Sequence, residues 1–135
     1  MDQHDLKRRT KDFALQVIRF VEALPHTPTT QIIGRQLIRS GTSVAANYRA
    51  ACRARSKLEF SAKIGVVVEE ADETAFWLEL LAESKIIDES KISIFLQEAD
   101  ELTAIFVASR KTASGAKSST HPINHQSIIK NHQST

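Results

Sequence analysis

Apolar residues recur at helical spacing through most of the chain. In the first segment, about residues 5–24, they follow one another at steps of four, three and four: Phe13, Val17, Phe20 and Leu24. This spacing is typical of the seam of a helix packed nearly parallel to a neighbour. Two prolines, Pro25 and Pro28, then end the segment in a short turn.

Three further segments carry similar seams. The second, about residues 28–52, begins with Pro28 at the first helical position, after Thr27 as the cap. The third begins at Ser56 and runs to about residue 83. Ser56 and Glu59 have the spacing of a capping box. The fourth spans about residues 89–111.

The turns between these segments are short, which favours antiparallel neighbours. The sequence therefore predicts an all-α, antiparallel, up-down four-helix bundle as one domain over residues 1–112. Small residues around Gly41 could kink the second helix or let another helix approach closely. We favour a continuous helix, because the apolar face keeps its phase there. Residues 113–135 are polar and predict a disordered tail.

The third and fourth segments are apolar on more than one face. Additional apolar residues lie beside their seams: Val66, Val68, Phe76, Trp77, Ile94, Leu96 and Ile105. A small monomeric bundle does not need such wide apolar faces. One interpretation is self-association; the other is that these residues widen a single core.

Composition narrows the class of protein. The chain has 135 residues, a net charge of +2 and one cysteine, so an intramolecular disulfide is impossible. No apolar run approaches the roughly 18 residues of a membrane span, and none follows the N-terminal basic cluster as in a secretory signal. We therefore expect a cytoplasmic protein.

Charge is strongly segregated along the chain. Residues 31–63 carry seven basic side chains against one acid, Glu59: Arg35, Arg39, Arg49, Arg53, Arg55, Lys57 and Lys63. Residues 64–101 carry eleven acids against only Lys85 and Lys91. The segregation indicates more about function than the mild net charge does.

Four of these arginines form an arginine stripe, Arg35, Arg39, Arg49 and Arg53, within about 40° of one line opposite the apolar face of the second helix. Guanidinium groups suit phosphate oxygens because they donate paired hydrogen bonds in a plane. The predicted nucleic-acid-binding residues are the stripe together with Arg55 and Lys57. Two alternatives stay open: pairing with the acids of the third helix, and a plain solvated face.

No catalytic or metal-binding constellation stands out. The histidines lie in the termini or in a loop: His4, His26, His121, His125 and His132. His121 and His125 have helical metal spacing, but Pro122 between them argues against an ordered site. Cys52 fits a small packing residue better than a nucleophile. We expect no cofactor, no metal and no enzymatic activity.

Two stretches carry a resemblance to a known family. The first is Ser40-Gly41-Thr42-Ser43-Val44-Ala45-Ala46-Asn47-Tyr48-Arg49, followed by Arg53-Ala54-Arg55-Ser56-Lys57-Leu58-Glu59-Phe60; the second is Glu69-Glu70-Ala71-Asp72-Glu73-Thr74 with Trp77-Leu78-Glu79-Leu80-Leu81. Together they resemble the four-helix bundle protein family, also called the 23S ribosomal RNA intervening-sequence protein family, over roughly residues 10–110.

The resemblance implies a homopentamer with a central channel and no established enzymatic activity. Relatives of this kind serve diversity-generating retroelements, where a basic surface engages nucleic acid and a reverse transcriptase. Many members carry Asn-Ile-Ala-Glu-Gly where this chain has Asn47-Tyr48-Arg49-Ala50-Ala51, a departure that adds a positive charge. We therefore expect a self-associating bundle that binds RNA or DNA. The alternatives are a protein-protein adaptor, using exposed apolar residues such as Trp77, and an unrecognised enzyme.

Overall fold

Four α-helices make up the computed structural model, which describes residues 1–113. They are α1 (Gln3–Glu22), α2 (Pro28–Ala51), α3 (Lys57–Ser84) and α4 (Glu89–Ala113). Each helix packs on the next along the chain, and α1 also contacts α4. The predicted four-helix bundle is confirmed. Of the predicted tail, Ala113 belongs to α4, and residues 114–135 lie outside the described residues.

Polar side chains fix the helix starts. The Thr27 hydroxyl accepts from the Thr30 amide at 3.2 Å, as a cap before Pro28 should. The Ser56 hydroxyl accepts from the Glu59 amide at 3.0 Å. This is half of the predicted capping box, because the Glu59 carboxylate instead lies 4.0 Å from Arg55 Nε.

A cap that sequence reasoning missed starts α1 two residues earlier than expected. The Asp2 carboxylate accepts from the Asp5 amide at 2.8 Å, and the Asp5 carboxylate accepts from the Asp2 amide at 3.3 Å. The hydrogen bond from the Asp5 amide lowers the pKa of Asp2. The first two turns of α1, which carry several basic residues, are therefore ordered helix.

The predicted seams meet in one core. Its largest fully buried side chains come from all four helices: Phe13, Val17, Leu37, Val44, Tyr48, Ile64, Val67, Leu78, Leu81, Ile92, Leu102 and Phe106. The rings of Tyr48 and Phe106 lie 5.1 Å apart, within the range of favourable aromatic contacts. Burial raises the pKa of the Tyr48 hydroxyl.

Side chains complete the contact between α1 and α4. The rings of Phe20 and Phe95 lie 4.9 Å apart. Nearer the middle of the bundle, the Arg9 guanidinium lies 2.6 Å from a Glu98 oxygen and 2.7 Å from a Glu101 oxygen. Hydrogen bonding to Glu98 raises the pKa of Arg9. These contacts join α1 to α4 in addition to its packing on α2.

The predicted continuity of α2 through Gly41 is confirmed. A Cβ atom at Gly41 would lie 3.0 Å from Val17 Cγ1 and 3.2 Å from Val17 Cβ. The glycine therefore marks a close approach of α2 to α1. Glycine in a helix interior costs about 1 kcal/mol relative to alanine, and close packing offsets that cost here.

We predict that Gly41→Leu lowers the free energy of unfolding by about 2 kcal/mol, because overpacking against the stiff, buried Val17 forces the two helices apart. Urea unfolding followed by circular dichroism measures the change. Adding Val17→Ala should restore part of the stability by making room for the leucine. Ala62→Leu, at an exposed position of α3, is the control. A Gly41→Leu protein that unfolds like the wild type would contradict the close approach.

Candidate nucleic-acid interface

The predicted site residues all lie on the outer surface. Those of the arginine stripe, Arg35, Arg39, Arg49 and Arg53, are exposed along α2 and the turn that follows it. Arg55 lies in that turn, and Lys57 is the first residue of α3. The structure therefore groups Arg49, Arg53, Arg55 and Lys57 where α2 ends and α3 begins, whereas Arg35 lies near the start of α2, toward the other end of the bundle.

The Arg39 side chain was expected to be unpaired, but it forms ion pairs with acids of α3. Its Nη1 atom lies 3.1 Å from Glu70 Oε2, and its Nη2 atom also donates to Glu73. The Glu73 carboxylate accepts from Trp77 Nε1 at 3.1 Å as well. The two acids lie one turn apart on the face of α3 that adjoins α2, so both reach the same guanidinium. For Arg39, pairing with the acidic third helix is the correct interpretation.

The other predicted residues keep their charges largely uncompensated. Arg55 Nε lies 4.0 Å from Glu59 and the Arg55 side chain is exposed, so this ion pair contributes little. Within residues 1–113, no ion pair joins Arg35, Arg49, Arg53 or Lys57 to an acid. Exposed guanidinium and ammonium groups of this kind remain available to an anion.

A groove between α1 and α2 collects basic residues that sequence reasoning missed. We call it the α1–α2 groove; its volume is about 740 Å³. Its lining is His4, Lys7, Arg8, Lys11, Thr42, Ala45, Ala46 and Arg49. No carboxylate is among these residues. The sequence carried one signal, since residues 4, 7, 8 and 11 have helical spacing on one face. Only the pairing of α1 with α2 shows that this face adjoins Arg49.

The antiparallel arrangement gathers positive charge at one end of the bundle. This basic end comprises the start of α1, the end of α2, the start of α3 and the end of α4, which adds Arg110. The Arg110 guanidinium covers Gly65 of α3, at 3.0 Å from where a Cβ would lie. Four acids occur here as well, Asp2, Asp5, Asp12 and Glu59. Basic residues outnumber them, so the end has a positive field.

The acids predicted to balance the basic residues lie largely elsewhere. Glu70 and Glu73 are paired with Arg39, and Glu98 and Glu101 with Arg9. All these pairs lie along the middle of the bundle. The segregation seen along the sequence therefore persists in space, between a middle where four carboxylates surround two arginines and a basic end.

The apolar residues beside the seams divide between the two interpretations. Val68, Trp77, Leu96 and Ile105 pack in part against the core, so they widen it. Ile94 and Val66 do not; they are 70% and 38% exposed. Leu58 is 83% exposed at the start of α3. Single exposed apolar residues are ordinary, so these three permit self-association without requiring it.

The described residues give little indication of a metal-binding site or a reactive cysteine. Within residues 1–113, no group of three or more metal-ligating side chains comes together. The pair His121 and His125 lies outside that range. Cys52 is half-buried against the core, in keeping with a packing role. No helix of the described part of the chain is both long and apolar enough to cross a membrane.

We predict that Arg39→Gln lowers the free energy of unfolding by less than about 1 kcal/mol, because an ion pair whose arginine is half-exposed is screened by water. Urea unfolding measures the change. The single tryptophan, Trp77, donates to Glu73, so its fluorescence reports on the same cluster in the folded state. A loss above about 2 kcal/mol would mean that the bundle depends on this pair.

Comparison with known proteins gives a consistent result. The family model described as 23S rRNA-intervening sequence protein matches residues 2–108. Among solved structures, a protein of unknown function from the S23 ribosomal protein family of Bacteroides thetaiotaomicron is similar to this chain. The two share 28% identity with a TM-score of 0.76, over 82% of this chain and 99% of that chain. No curated protein matches this chain.

Proposed function

This chain belongs to the 23S rRNA-intervening sequence protein family, as its motifs indicated, and from that premise we propose that it is a non-enzymatic, self-associating helical bundle that binds RNA or DNA phosphates in the cytoplasm. The contacts would come from Arg35, Arg49, Arg53, Arg55 and Lys57. Arg39 is left out, because Glu70 and Glu73 already neutralise its charge.

One observation supports this proposal above the others: exposed basic side chains without acid partners meet at the basic end. Arg49 and Arg53 lie one turn apart there, and neither forms an ion pair with any described residue. Clustered like charges repel one another. A phosphate backbone would relieve that repulsion and release its own counterions on binding.

The chemistry favours contacts to phosphates over contacts to bases. Guanidinium groups form paired hydrogen bonds with phosphate oxygens, and such contacts carry no sequence information. The one aromatic residue among these arginines, Tyr48, is buried in the core, so base stacking on this surface lacks support. Binding should therefore depend strongly on salt and weakly on sequence.

Self-association would multiply the basic end. The resemblance implies a homopentamer, and Ile94 and Leu58 offer exposed apolar surface for contacts between copies. Repeating one basic end around a closed ring would increase the field that steers a polyanion toward the protein. A reverse transcriptase is a further candidate partner, on the resemblance alone.

We predict that Arg49→Gln with Arg53→Gln weakens binding to mixed-sequence RNA and DNA in gel-shift assays at several salt concentrations. If each protomer loses two phosphate contacts, the slope of log affinity against log salt falls by about 1.4 to 1.8 per bound protomer. Arg39→Gln should leave affinity nearly unchanged. Lys85→Gln with Lys91→Gln removes equal charge at the opposite end and is the matched control. Equal effects of the two double variants would refute the assignment.

Light scattering after size-exclusion chromatography tests assembly. The wild-type protein should have the mass of a homo-oligomer, and Ile94→Asp should shift it toward the monomer, because a buried carboxylate at an interface is costly. Ser93→Asp, at the neighbouring exposed position of α4, should keep the wild-type mass. A monomeric wild-type protein would rule out self-association.

The alternative function is a protein-protein adaptor with no nucleic-acid ligand. The exposed Leu58 and Ile94 favour it, whereas Trp77 does so less than expected, since its ring is partly buried and its Nε1 donates to Glu73. A wild-type protein that assembles normally but retains no RNA or DNA at low salt would support this alternative.

A further inference from the structure

The α1–α2 groove has a shape and charge that narrow the class of ligand. We infer that it binds the backbone of a single, unpaired nucleic-acid strand. This inference rests on the proposed function and names its ligand more closely. It adds basic residues of α1, namely His4, Lys7, Arg8 and Lys11, to the interface predicted on α2.

Both walls of the groove are basic. Lys7 and Lys11 lie on the α1 wall and Arg49 on the α2 wall, and the lining holds no acid. Cations on two sides can surround one phosphate backbone and contact oxygens on both of its faces. A flat basic surface reaches one face only. The groove therefore suits a strand that lies within it.

The size of the groove favours one strand over two. It lies between two packed helices and holds about 740 Å³. A duplex carries its two backbones on either side of a major groove about 12 Å wide and a minor groove about 6 Å wide. It could present only the outer side of one backbone here, so most of the lining would remain unused.

The α2 side of the groove also presents small side chains, Thr42, Ala45 and Ala46. Their size lets a strand approach α2 closely, and their methyl groups can contact the sugars and bases of an unpaired strand. The lining contains no aromatic residue, so bases would not stack as in many single-strand binders. The expected preference is for unpaired strands of any sequence.

Spacing along α1 supports a backbone ligand. Lys7 and Lys11 are neighbours on one helix face, about 5–6 Å apart at their Cβ atoms, which is comparable to the step between phosphates of an extended strand. Arg53 lies four residues beyond Arg49, in the turn that follows α2. A strand along the groove would thus meet several cations in succession.

An acidic amphipathic helix from a partner protein is the competing occupant. Such helices bind by placing large apolar anchors into a hydrophobic groove. Apart from its basic side chains, the groove presents only two alanines and a threonine, which leaves little for such anchors to contact. Charge complementarity with a phosphate backbone is the stronger match.

Fluorescence anisotropy with a labelled 12-nucleotide oligo-dT strand and a 12-base-pair DNA duplex tests the inference in the full-length protein. The single strand should bind at least tenfold more tightly than the duplex at the same salt concentration. Lys7→Gln with Lys11→Gln should weaken strand binding about tenfold. The matched control, Lys85→Gln with Lys91→Gln, should change it less than twofold.

A second variant fills the groove without changing charge. Ala46→Leu should weaken strand binding at least fivefold, whereas Ala62→Leu, the same change at an exposed position of α3, should not. Circular dichroism confirms that each variant is folded. Together the two pairs of variants separate the shape of the groove from its charge.

The possible failures are distinguishable. If nucleic acid binds through Arg49 and Arg53, but a duplex binds as well as a strand or the α1 and Ala46 variants have no effect, the groove inference fails and the proposed function stands. If neither probe binds at low salt, both fail. If a synthetic acidic amphipathic helix binds in their place and Ala46→Leu abolishes that binding, the groove belongs to a protein partner.

Discussion

The close packing of α1 on α2 determines where the rest of the surface lies. At Gly34 and Gly41 the missing side chains leave room for Val21 and Val17 of α1; an added Cβ would approach their methyl groups to 2.9 and 3.0 Å. Each glycine lowers helix propensity by about 1 kcal/mol. The absence of these side chains lets α1 and α2 pack closely along their length. The α1–α2 groove then lies between the outer faces of the two helices.

Charge compensation follows from the same arrangement. The acids of α3 and α4 lie beside Arg39 and Arg9 along the middle of the bundle, where two carboxylates meet each guanidinium. Such networks fix side-chain positions more than they add stability. The acids at the basic end are fewer than its cations, and two of them, Asp2 and Asp5, are held in the cap of α1. The positive electrostatic potential of the molecule is therefore concentrated at the basic end.

Periodicity along each helix predicts the fold, because burial depends mainly on the face a residue occupies. Gly41 was interpreted correctly for this reason: the seam stays in phase through it. The acids that pair with Arg39 were harder to predict, since the sequence does not show how far α3 is rotated about its own axis relative to α2. Lys7 and Lys11 were missed because a helical projection of α1 alone does not reveal which neighbour its basic face adjoins.

The basic end is the part of the molecule that the fold does not explain. The core, the caps and the ion pairs each agree with the stability of a four-helix bundle. Lys7, Lys11 and Arg49 around one groove repel each other and contribute no packing that shorter polar side chains would lose. When the core, the caps and the ion pairs of a protein all agree with its fold, the residues that do not agree with it lie chiefly at functional sites. An incoming phosphate backbone would turn this repulsion into attraction, which is the physical reason to place the ligand there.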